Sequence, residues 1–437
     1  MRLPIRVVDL LFWPAAAAVL FGPLLVGAFD SFPAAAVAGL LLLLNLYAFS
    51  PLNQSVLPRR ISLVVLSACL AATAFDLGAR AVFSYFLDET PKELVVRAWP
   101  PLPLLNRFPS GVRFEGEVYG DLAGMSGHRE WREYRPTLFV TDERGLRNEP
   151  SAGEPEPDLI LLGDSFGVVR GTRQDETLGA LLSRSYGWSV YNLSMEAVSP
   201  WQEYANLLAE GDGLRPKEGA VLLWLIFPGN DLDERYLPVF EASQLPWRGR
   251  RGQLVDAVRR FRYRSPLRYV LFGRDVPGSE SVIEKKFLDG RRLLFLAQYA
   301  RNNGRTAEDV RRHPNFALLR QTIGAMKRLA DERRLRVTVA LVPSKEEIYS
   351  WVLDGAPPWS TDGAPSPFSA AVEEMARQNG MPYLDLKPAL VGASRRAFEE
   401  SGQLLWWADD THWNPLAQKV AAEAIQRELL LPLRPRL

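Results

Sequence analysis

The stretch LLGDSFGVVRG, residues 161–171, decides how this chain is read. Apolar residues run from Leu159 to Leu162, Gly163 and Asp164 break the run, and Ser165 follows, with Gly167 two places on. A serine at the end of a buried strand can present its hydroxyl to solvent. The letters Gly163-Asp164-Ser165-Phe166-Gly167 also fit G-x-S-x-G, a sharp strand-to-helix turn that carries a nucleophile. An ordinary tight turn fits them equally well. A serine hydroxyl is a weak nucleophile until a base takes its proton and a third group orients that base. The reading therefore rests on partners elsewhere in the chain.

The 437 residues include three histidines, so an acid–base imidazole must be His128, His313 or His412. His412 lies in WWADDTHWNP (406–415), with Asp409 three residues before it and Asp410 two before. A carboxylate that near in sequence can hold the imidazole Nδ1–H and support the imidazolium formed on proton transfer. His128 sits in the Gly-rich stretch GMSGHRE (124–130), and His313 precedes Pro314 with no acid nearer than Asp309. Both read as surface histidines. His412 is the expected base, with Asp409 placed first as its acid and Asp410 second.

Composition removes several alternatives. The net charge is +1, which gives nucleic acid no electrostatic footing. A single cysteine, Cys69, rules out an intrachain disulfide and a thiolate metal cluster. No G-x-x-x-x-G-K-[ST], G-x-G-x-x-G or H-E-x-x-H pattern occurs, so no nucleotide, metal or other cofactor is expected.

Short continuous apolar runs, LILL (159–162), AVLLWLIF (220–227) and VTVALV (337–342), with PYLDL (382–386) as a weaker fourth, have the form of strands covered on both faces. Helical patterns separate them, among them TLGALLSRSY (177–186) and SAAVEEMARQNG (369–380). Asn414 can cap a last helix that has Pro415 in its first turn. Strand–helix alternation predicts an α/β fold, a parallel sheet layered between helices. Residues 233–313 interrupt it with a basic helical insertion. From Arg248 to Arg274 there are nine arginines and one acid, Asp256. This is either a solvated face or a contact for anionic lipid or acidic glycan.

Chain order separates the two serine-enzyme folds that the motif fits. In α/β-hydrolases the nucleophile comes late, after several strands. Here its strand is the first of the sheet and the acid–histidine pair lies just before the last helix. A G-D-S after the first strand, with D-x-x-H before the last helix, resembles the SGNH/GDSL hydrolase superfamily over roughly residues 158–430. The resemblance implies a three-layer α/β/α catalytic domain and an oxyanion hole. Its donors would be the Ser165 N–H, the Gly229-Asn230-Asp231 block through Asn230, and the block Asn192-Leu193-Ser194-Met195-Glu196-Ala197. In that last block Ala197 stands where the family has glycine. DERGLRNEP (142–150), VPSKEEIYSW (342–351) and DTHW (410–413) resemble membrane-linked and alginate-acetyltransferase-like members, which move acyl groups onto exported polysaccharide. The implied activity is a serine esterase or O-acyltransferase on cell-envelope glycan, supplied by a membrane acyl-transfer partner. The alternative is an SGNH-shaped binding module without turnover. Trp413 beside the histidine, and Trp359 in PPWS (357–360), could stack on a sugar ring or simply pack.

The N-terminal 87 residues are read as a membrane region. Residues 8–29 carry only Asp9, residues 32–49 carry no charge and residues 61–75 carry none, and a span takes ~20 mostly apolar residues. Arg2, Arg6, Arg59 and Arg60 set the N-terminus and the second link in the cytoplasm. Three spans then put the remainder outside the bacterial inner membrane, in the periplasm, beginning with a Pro-rich and strand-like juxtamembrane segment, 88–150. If the third segment does not cross, the domain stays cytoplasmic.

Overall fold

Apolar runs without polar alternation need cover on both faces of a sheet. In the computed structural model they form its centre. The structure describes residues 107–433 apart from 109, 151–155, 197, 211–212, 234–237, 239 and 242–281, together with the single positions 64, 71 and 75. In chain order the strands are β1 Arg113–Val118, β2 Arg135–Val140, β3 Leu159–Leu162, β4 Val190–Asn192, β5 Val221–Ile226, β6 Val282–Lys286, β7 Arg292–Leu296, β8 Arg336–Leu341 and β9 Tyr383–Asp385. Five of them make one sheet of order β4-β3-β5-β8-β9, parallel throughout. The pairs β1–β2 and β6–β7 are separate and antiparallel.

Alternate residues of each central strand enter different cores. Leu159, Leu161, Val221, Leu223 and Leu225 pack with helices Leu178–Tyr186, Lys387–Ser401 and Pro415–Ile425. Ile160, Leu162, Leu222, Trp224 and Ile226 pack with helices Pro200–Glu210, Phe316–Glu332 and Pro367–Gln378. Helices therefore cover both faces, and every residue of β5 is buried. The predicted last helix begins as read, with the Asn414 side chain accepting from the N–H groups of Leu416 (3.0 Å) and Ala417 (3.1 Å).

This strand order reverses direction between β3 and β5. Sheets wound in this way bind ligands outside their carboxyl ends, at the reversal. Ser165 follows β3 and Asn230 follows β5, so topology alone brings both to that crevice.

Two domain expectations change. Residues 107–150, set apart by sequence as juxtamembrane, pack in the same unit as the sheet. The described part of the expected helical insertion contains the hairpin β6–β7 as well as helices Ala297–Asn303 and Ala307–Arg312. Leu293–Leu296 of β7 are buried, and Leu294 N–H donates to the Ala408 carbonyl (2.9 Å), which ties the hairpin to the His412 loop. The run Arg248–Arg274, the segment 88–106 and the first two expected spans lie outside the described residues, as does the third apart from positions 64, 71 and 75. Among the described residues no helix is long and apolar enough to cross a membrane.

Candidate active site

β3 ends at Leu162, and Asp164 turns the chain into a one-turn helix, Ser165–Val168, by accepting from the Phe166 N–H (2.9 Å). That cap places the Ser165 hydroxyl at the strand's carboxyl end. Gly167 is required by close approach, since a Cβ there would lie 2.1 Å from the Ser194 Oγ. The Asn192 amide donates to the Gly167 carbonyl (2.9 Å), while its Oδ1 accepts from the Ser194 N–H (2.9 Å). The block 192–196 is thus pinned directly on the serine turn. Ala197 itself lies outside the described residues.

The loop 406–413 is closed by a β-bridge between Trp406 and Trp413. It brings His412 Nε2 to 2.7 Å from the Ser165 Oγ, across 247 residues of sequence. On the other side of the ring, Nδ1 lies 2.7 Å from Asp410 Oδ1. A carboxylate can only accept, so Nδ1 carries the proton and Nε2 is left to accept from the serine. Burial alone would push the imidazole pKa down. The hydrogen bond and charge of Asp410, with the charge of Asp121, outweigh it and raise the value to about 9. Burial likewise opposes ionisation of Asp410, but His412 and Arg135 hold that carboxyl well below the usual range.

The carboxylate on His412 is therefore Asp410 and not Asp409, which the sequence placed first. Asp409 Oδ2 accepts from the N–H groups of Gly120 (2.6 Å) and Glu133 (3.0 Å), and its Oδ1 from Arg135 (2.7 Å). Both oxygens of Asp409 are thus committed to residues from the end of β1 to the start of β2. Gly120 permits this contact, because a Cβ there would sit 1.9 Å from the Asp409 carbonyl oxygen.

Three residues around the pair had no catalytic motif to reveal them. Asp121 accepts from the Thr411 N–H (2.8 Å) and hydroxyl (2.6 Å), and its Oδ2 lies 3.7 Å from His412 Nδ1. Arg135 bridges Asp409 and Asp410. Lys345, fully buried, donates to the carbonyls of Trp407 (2.8 Å), Ala408 (2.9 Å) and Asp410 (3.1 Å). Its only trace in the sequence is the VPSKEEIYSW resemblance. Ligand atoms of Asp121, Asp410 and His412 come within 4.8 Å of one another, a spacing a metal ion could use. Both His412 nitrogens, however, are engaged in the hydrogen bonds just described.

Asn230 lies in the turn after β5. This turn is closed by the Phe227 N–H donating to Asp231 (2.8 Å) and by the Asp233 N–H donating to the Asn230 carbonyl (2.7 Å). The Phe227 ring packs tilted against that of Phe166, centroids 4.3 Å apart, which joins the two turns.

The other expected residues are elsewhere. Trp413 is 0% exposed and packs edge-on to Phe166, so it offers no face to a sugar. The bridge to Trp406 turns it into the core. Trp359 packs against Trp351, Phe287 and Phe398 and lines a cavity of about 300 Å³ that has none of Ser165, Asn230, Asp410 or His412 in its walls. His128 stacks on Trp131 at the surface, and His313 faces Asp233 (3.2 Å).

Comparison with known proteins points the same way as the motifs. Residues 294–434 match the family model described as the SGNH hydrolase-like domain of the acetyltransferase AlgX. Similarity to the SGNH hydrolases is thus shown over the part of the chain that carries Lys345, Asp410 and His412. No curated protein matches the chain. Similar solved structures include TesA, 14% identical over 63% of this chain and 99% of that one, with a TM-score of 0.33. Another is the Bacillus subtilis protein YxiM, 9% identical over 69% of each chain, also with a TM-score of 0.33. At those scores neither carries an argument.

Proposed function

We propose that this chain is an SGNH-type serine esterase or O-acyltransferase that works on acyl esters, acetyl first, of cell-envelope polysaccharide. The observation that carries the reading is the array Ser165 Oγ, His412 Nε2–Nδ1 and Asp410 Oδ1, with 2.7 Å at each junction, at the carboxyl end of a parallel sheet. The AlgX-type match supports acyl transfer as the reaction class.

In this mechanism His412 Nε2 takes the Ser165 proton as Oγ adds to the acyl carbonyl. Asp410 stabilises the imidazolium. The family resemblance assigns the Ser165 N–H, the Asn230 amide and the Ala197 N–H as the donors to the developing oxyanion, where each such donor contributes ~3 kcal/mol. His412 returns the proton to the leaving alcohol and an acyl-serine remains. A glycan hydroxyl, or water, then gives its proton to His412 and takes the acyl group.

The expected spans make the donor a membrane acyl-transfer partner and the working compartment the periplasm. The nine arginines of Arg248–Arg274 suit an anionic headgroup or glycan at that surface. A phosphatase reporter joined after residue 90 should then be active and one at Arg59-Arg60 silent; silence at residue 90 would make the domain cytoplasmic.

Transfer and hydrolysis are separated by acyl-enzyme formed from 4-nitrophenyl acetate. Envelope oligosaccharide should speed its discharge, with acetyl recovered on sugar. If the rate is unchanged and all acetyl appears as free acid, the protein is an esterase. If no acyl-enzyme forms on a folded chain, the binding-module alternative holds.

A further inference from the structure

Two adjacent carboxylates in a buried loop repel each other, and each would rotate freely about its Cβ–Cγ bond unless both were held. One side chain meets both demands here. Arg135, at the start of β2, lies 274 residues before Asp409 and has a side chain 5% exposed. Its Nη1 donates to Asp409 Oδ1 (2.7 Å) and to the Glu133 carbonyl (3.2 Å), and its Nη2 donates to Asp410 Oδ2. The guanidinium lies over the Trp407 ring, 4.5 Å from its centroid. Asp410 Oδ1 is left to His412, so this carboxylate is fixed at both oxygens and its plane is set by the arginine. Lys345 holds the carbonyls of the same turn.

Resting on the proposed reaction, we infer that Arg135 is a positioning residue: a guanidinium from the strand pair before the sheet sets the acid that orients His412. The stretch from the end of β1 to the start of β2 is then part of the catalytic machinery although it touches no reacting atom. Asp121 of the same stretch accepts from Thr411 and Gly120 admits Asp409, so three residues of that stretch converge on one loop. A lysine cannot substitute. It offers a point charge where two carboxylates and an aromatic face need a planar fork.

The experiment uses the full chain in detergent. Arg135→Ala and Arg135→Lys should both keep KM for 4-nitrophenyl acetate and lose kcat on the order of 100-fold, the usual cost of a misplaced catalytic group. Millimolar guanidinium, but not ammonium, should restore Arg135→Ala. The downfield proton resonance of the His412–Asp410 hydrogen bond should vanish in Arg135→Ala and return with guanidinium. This last readout needs no turnover, so it stands even if the wild type proves inactive, an outcome that would remove the proposed reaction alone. Wild-type kcat in either variant, a change in KM only, or a folded Arg135→Ala that guanidinium does not restore would each overturn the assignment. If Arg135→Ala fails to fold, Arg135→Lys decides by the same kcat comparison.

Discussion

Replacing each of the two adjacent aspartates by asparagine separates their duties. Asp410 has donors on both sides, His412 Nδ1–H at 2.7 Å and Arg135, which can only donate. In Asp410→Asn one of those donors must face an NH2 group. The charged guanidinium makes the stronger claim on the remaining oxygen, because hydrogen bonds to charged groups contribute ~1.5–3 kcal/mol against about 1 for neutral ones. The amide NH2 then turns to His412, Nδ1 becomes the acceptor and the proton moves to Nε2. An Nε2–H cannot take the Ser165 proton. A base locked in the wrong tautomer costs ~10⁴ in kcat, about 5.5 kcal/mol. Asp409→Asn instead disturbs acceptors of the Gly120, Glu133 and Arg135 donors. It should cost roughly 2–4 kcal/mol of stability while kcat stays within about tenfold of wild type. Steady-state ester turnover and denaturant unfolding of both variants give the comparison. If folded Asp409→Asn loses turnover and Asp410→Asn keeps it, the assignment of Asp410 is refuted.

Other outcomes follow from the same contacts. His412 acts as a base only when neutral, and its pKa is raised to about 9, so kcat/KM should climb through mildly alkaline pH instead of levelling near 6.5, and the limb should fall in Asp410→Asn. The same shift makes the charged His412 stabilise the fold at neutral pH, a contribution lost as pH rises through about 9, which unfolding at pH 7 and 10 would measure. Gly120→Ala places a Cβ 1.9 Å from a backbone oxygen and breaks the Gly120–Asp409 bond; about 2–4 kcal/mol of stability should be lost, and an unchanged unfolding midpoint would contradict the packing described. Trp413→Ala should cost ~3–5 kcal/mol and reduce hydrolysis and transfer alike, since the ring is core; a selective loss of transfer would put it back at the substrate.

How much the sequence revealed depended on distance along the chain. The positions of Ser165 and Asn230 at strand ends were legible because each follows an apolar run in a short recognisable turn, and a parallel sheet gathers strand ends at one edge. His412 was legible because histidines are scarce. The choice between Asp409 and Asp410 was not, because either reaches a ring two or three residues away, and the selection is made by Arg135, Gly120 and Glu133 from far upstream. Asp121, Arg135 and Lys345 carry no local signature. They matter because tertiary packing brings them to one loop. The fate of Trp413 was set by its bridge to Trp406, which no periodicity announces. The hairpin β6–β7 was hidden because two five-residue strands beside a long basic run leave little pattern.

The central claim is that Ser165 is a nucleophile activated by His412, and an active-site serine phosphonate tests it most directly. Incubated with the detergent-solubilised chain and followed by peptide mapping, it should modify Ser165, fail with Ser165→Ala and His412→Ala, and slow with Asp410→Asn. Labelling that persists in Ser165→Ala, or a folded wild type that is never labelled, would contradict the account.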